Sequence, residues 1–123
     1  MKGFEDVRLS WKGEEYTVTA DRIFELIRRL EDIIMGAGAT PAFVLLLQNR
    51  VTQSTLATAY AEALRFAGAS VSPQEVYLSI MQDFASNSAE AARKVQDAIV
   101  GLLCIISPPL AAEIIGEPPE KKE

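Results

Sequence analysis

Nine consecutive residues late in the chain, Ala98-Ile99-Val100-Gly101-Leu102-Leu103-Cys104-Ile105-Ile106, are apolar on every side of a helix. They continue a helical pattern that starts at about Ala89, where Glu90, Arg93, Lys94 and Asp97 still mark a wet face. The predicted helix is therefore amphipathic in its first half and apolar all round in its second, and such a segment has to be enclosed by protein. It is too short to span a bilayer, Ser107-Pro108-Pro109 stops it, and no flanking Lys or Arg marks it as an interfacial helix. Two enclosures stay open. The other helices of the same chain can wrap it, or a second copy or an apolar client can cover it. Under the second, Leu102, Ile105 and Ile106, with Ile114 and Ile115 from the next apolar stretch, form a partner-binding surface and the chain is a homo-oligomer.

The wrapping has to come from the remainder of 123 residues, one domain's worth of chain. Val7, Leu9 and Trp11 alternate with Arg8, Ser10 and Lys12, and after Lys12-Gly13 the alternation resumes with Tyr16 and Val18. This is a β-hairpin with Gly13 supplying a positive φ, and two strands alone are marginal, so it lies on helices. The first helix starts near Thr19 or Asp21 and carries Ile23, Phe24, Ile27, Leu30, Ile33 and Ile34 until Gly36. Pro41 opens a short second helix, Thr52 caps a longer alanine-rich one ending at Gly68, and Ser72-Pro73-Gln74-Glu75 has the form of a capping box. That fourth helix carries Val76, Tyr77, Ile80, Met81 and Phe84 as its apolar stripe. The expected architecture is α+β and mostly α, an N-terminal β-hairpin packed on about five helices, over residues 1–116. Residues 117–123, rich in proline and charge, read as a disordered tail.

Histidine is absent and Cys104 is the sole cysteine, which removes histidine general bases, histidine-ligated metals, internal disulfides and cysteine–histidine dyads. The acidic pairs Glu5-Asp6, Glu14-Glu15 and Glu31-Asp32 read as solvated charge, and Gly36-Ala37-Gly38 as a helix break rather than a phosphate loop. No catalytic, cofactor-binding or metal residue is assigned, and an enzyme is not expected. The net charge of −5, with basic residues in pairs such as Arg28-Arg29 and Arg93-Lys94 beside acidic ones, argues against nucleic acid. The corner from Leu64 to Pro73 has helix-turn-helix rhythm, but the helix after it, to Phe84, holds no Arg or Lys to meet phosphate or guanine. With no secretory signal behind Met1, the expected location is the cytoplasm, where the lone thiol stays reduced.

Several stretches together carry a resemblance: Val7-Arg8-Leu9-Ser10-Trp11-Lys12-Gly13-Glu14-Glu15-Tyr16-Thr17-Val18, Ala20-Asp21-Arg22, Ala59-Tyr60, Leu64-Arg65-Phe66-Ala67-Gly68-Ala69 and Val71-Ser72-Pro73-Gln74-Glu75-Val76-Tyr77. Over about residues 7 to 85 the chain resembles the tail assembly chaperones of long-tailed bacteriophages and related prophages. That resemblance implies a non-enzymatic protein of the bacterial host cytoplasm that coats the tape-measure protein, keeps it soluble and recruits tail-tube subunits before leaving. Such families often also make a longer product by frameshifting, and this chain would correspond to the short form. A structural connector, neck or tail component retained in the particle is the alternative, and a small helix-turn-helix regulator the third reading.

Overall fold

The computed structural model describes residues 4–86 and 89–115, the side chains of Glu90, Ile114 and Ile115 excepted. The element order is β1 (Val7–Trp11), β2 (Glu14–Val18), α1 (Ala20–Met35), α2 (Ala42–Leu47), α3 (Gln53–Phe66), α4 (Pro73–Ala85), α5 (Ala89–Ile106) and α6 (Pro108–Ile115). The architecture is α+β and mostly α, as the sequence predicts, with a sixth helix formed by the apolar stretch after Pro108. The expected tail over 117–123 lies outside the described residues.

β1 and β2 pair antiparallel from Val7 opposite Val18 to Trp11 opposite Glu14. Lys12 and Gly13 both take positive φ, 51° and 82°, which matches the connection to the right-handed twist of the strands. The register sends Leu9 and Val18 into the core, and Trp11 and Tyr16 pack half-buried at its margin. Tyr16 stands opposite Leu9, so the two aromatic rings are diagonal neighbours rather than a facing pair.

α1 buries Ile23, Leu26, Ile27, Leu30 and Ile34. Phe24, expected on that stripe, points outward and is 62% exposed, its ring 6.2 Å from that of Phe4. The helix begins after Thr19, whose side chain makes no cap hydrogen bond; the cap comes from Asp6, whose Oδ1 accepts from the Ala20 N–H at 2.8 Å. Residues of α1 also latch onto α3. Arg22 donates to the Phe66 carbonyl oxygen, and Arg29 pairs with Glu62 at 3.2 Å. Both guanidinium groups lie against the Phe66 ring.

At α3 the Thr52 hydroxyl accepts from the Thr55 N–H, and Gly68, at φ 101°, follows the end of the helix. Leu56, Ala57, Ala59, Tyr60, Ala61, Ala63 and Leu64 are all buried, more of the circumference than one stripe. Its alanines let α1, α4 and α5 pack close. α4 starts with the expected capping box: the Glu75 N–H donates to Ser72 Oγ and the Ser72 N–H donates to Glu75 Oε1.

α5 packs against α1, α2, α3, α4, α6 and β1. Leu102 and Ile105 have no exposed surface and Leu103 only 1%. Of the two enclosures left open by the sequence, the fold takes the first. Leu102 and Ile105 therefore do not form a partner surface, because neighbours from the same chain enclose them, while Ile99, Val100, Cys104 and Ile106 are half-buried. Each such burial contributes about 1.5–3 kcal/mol to folding.

Candidate functional site

Besides its apolar packing, the hairpin is tied to α3 by a side-chain hydrogen bond. The Tyr60 hydroxyl, reaching from α3, donates to the Ser10 carbonyl oxygen at 2.8 Å. Burial, with help from Asp97, raises the Tyr60 pKa above its ordinary value. Beneath lies Gly101 of α5. A Cβ there would stand 3.2 Å from Leu9 Cδ2 and 3.5 Å from Tyr60 Cε1, so the missing side chain is what lets β1 and Tyr60 settle against the helix.

This close approach leaves a groove of about 770 Å³ between β1, the first half of α4 and one face of α5. Its floor is apolar, formed by Leu9, Val76, Ile80, Ala98 and Gly101. Its rim carries cations: Arg8 stands on β1, Lys12 in the turn after it, Arg93 and Lys94 on α5, and Asp97 is the carboxylate among the lining residues. Lys94 reaches Asp83 of α4 at 2.7 Å and ties α4 to α5 across the lower wall. Lys12 lies over the Trp11 ring at 5.5 Å. Four cations line this groove in a chain of net charge −5, with Lys94 held by Asp83. Residues 8 and 12 are some eighty positions from 93 and 94 in the chain, and only the docking of the hairpin on α5 brings them together.

The backbone of β1 adds a second property. Among the described residues the sheet has two strands, so β1 has β2 on one edge and no strand on the other. A two-residue turn closed by Trp11 and Glu14 turns the N–H and C=O of Val7, Leu9 and Trp11 toward β2 and those of Arg8 and Ser10 toward the open edge. The bond from Tyr60 to the Ser10 oxygen shows that orientation directly. The N–H groups of Arg8 and Ser10 have no hydrogen-bond partner among the described residues.

A second cleft, of about 570 Å³, continues past the start of β1 between Phe4, Val7 and Ile23 on one side and Pro108, Ala111 and Ala112 on the other. Arg8 and Cys104 border both cavities. Burial pushes the Cys104 thiol pKa up, which keeps it protonated and a poor nucleophile. Outside the grooves, Leu78 and Phe84 of α4 are 57% and 47% exposed, and Tyr77 is also exposed. The apolar stripe expected on α4 therefore buries Val76 and Ile80 and leaves Tyr77 and Phe84 in water.

Of the residues expected to bind a partner, Leu102 and Ile105 sit in the core and Ile106 is half-buried against it. The side chains of Ile114 and Ile115 lie outside the described residues. Among the described residues no group of His, Cys, Asp or Glu gathers to hold a metal, and no helix is long and apolar enough to cross a membrane. Set against known proteins, the chain matches no family model, no curated protein and no solved structure.

Proposed function

We propose that the chain is a non-enzymatic, protein-binding assembly chaperone of the kind its sequence resembles, working in the bacterial cytoplasm on a tape-measure protein and recruiting tail-tube subunits to it. The observation that carries this reading is the groove along β1: an apolar floor, a cationic rim and an open strand edge suit a segment of polypeptide rather than a small molecule. The outer apolar residues of α4, Tyr77, Leu78 and Phe84, supply a further surface for tube subunits or for neighbouring copies along the same client. Leu102 and Ile105, enclosed within the chain, supply no part of that surface.

Co-expression with the tape-measure and tail-tube proteins of the same genome tests the reading. The expected result is that the chain co-purifies with the tape-measure protein, raises its soluble yield and is missing from finished particles. Retention in particles would establish the connector alternative, and failure to bind either protein would overturn the assembly reading.

A further inference from the structure

We propose that the open edge of β1 takes up an extended segment of the partner as a third strand, and that the segment alternates acidic and apolar residues. The proposal rests on the reading of the chain as a protein-binding module and assigns that reading its recognition chemistry.

Strand addition needs unpaired backbone groups at strand spacing, and the edge supplies the Arg8 N–H, the Arg8 C=O and the Ser10 N–H. The Ser10 oxygen is already taken by Tyr60, which ends the available ladder there. An added strand shares the pleat of β1, so its side chains alternate between the two faces of the hairpin. On the outer face they meet Arg8 and Lys12, both exposed and without an ion pair among the described residues. On the inner face they meet the apolar floor beside Leu9, Ile80 and Ala98. Carboxylates on one side and branched apolar side chains on the other satisfy both. Glu15, across the hairpin from Ser10, Asp97, and Asp83, which holds Lys94, are the carboxylates near the groove, and Arg8 and Lys12 are the cations that face the open edge. A nucleic-acid strand would use the cations but has no group that pairs with a strand's alternating N–H and C=O, so the edge favours polypeptide.

The test uses the full chain and a fluorescein-labelled hexapeptide, acetyl-Glu-Val-Glu-Val-Glu-Val-amide, with its lysine-for-glutamate counterpart as control. Fluorescence anisotropy is expected to show binding of the acidic peptide, weakened as salt is raised, and none of the basic one. Amide exchange followed by NMR is expected to show the N–H groups of Arg8 and Ser10 gaining protection on binding. The variant Ser10→Pro removes one edge donor and leaves the ladder to β2 intact, and it should weaken the peptide about tenfold. The double variant Arg8→Glu/Lys12→Glu, changed only at exposed side chains, should lose the acidic peptide and gain the basic one. The proposal is overturned if the acidic peptide does not bind, if it binds while both amides exchange as before, if neither variant changes its affinity, or if a single-stranded oligonucleotide displaces it at lower concentration. Capture of the tape-measure protein without protection at Arg8 and Ser10 would sink strand addition and leave the assembly reading standing. Peptide binding with protection, but no capture, would do the reverse.

Discussion

Tyr60 shows how much one side chain can hold in a fold of this size. Its ring packs near Gly101 and its hydroxyl caps the Ser10 carbonyl on the open edge of β1. The Tyr60→Phe variant should lose about 1 kcal/mol, read as a lower urea midpoint at neutral pH. Alkaline titration adds a second signature. Because the folded pKa is raised, the native state keeps its proton where the unfolded chain has lost it. Stability is therefore whole below the ordinary tyrosine value of about 10 and falls as pH rises through the folded value, a fall the Tyr60→Phe variant should lack in part. Gly101 is tested from the other side. The Gly101→Val variant would drive two methyl groups into Leu9 and should cost about 1–3 kcal/mol, with loss of near-ultraviolet circular dichroism from Trp11 as the hairpin lifts.

The elements differ in where their instructions are written. The Lys12-Gly13 turn and the Ser72-Pro73-Gln74-Glu75 box are local statements, each complete within a few residues, and both were legible in the chain. The start of α1 near Thr19 was legible too, but its side-chain cap was not. Its cap is Asp6, fourteen positions before Ala20 and brought there by the hairpin, while the nearer Thr19 makes no side-chain cap bond. The groove was illegible for the same reason, since Arg8 and Lys12 meet Arg93 and Lys94 through packing alone. Hydrophobic spacing likewise put Phe24 inside and passed over Leu26, because a helix's period shows that it has a face and not which few degrees of it the neighbours cover. The two caps should respond differently when removed. Ser72→Ala and Asp6→Ala should each cost about 1 kcal/mol in thermal or urea unfolding. In hydrogen exchange, however, the first should loosen the opening turn of α4 alone, whereas the second should loosen α1 and the hairpin together.

For the whole molecule the decisive fact is that α5 meets six other elements and is filled in by them. The Leu102→Ala variant should therefore behave as a core truncation and lose about 2–5 kcal/mol. Its sedimentation coefficient at native conditions should be that of the parent, where an interface residue would have shifted the association instead. The same centrality bears on how the chain is made. Synthesis delivers the hairpin and four outer helices before residue 98 leaves the ribosome, so the nascent product is a set of walls awaiting its pillar. A message cut short after Asp97 should yield no cooperative unfolding transition at all, only a sticky intermediate that proteases remove. Translation must thus run through α5 before the groove along β1 exists.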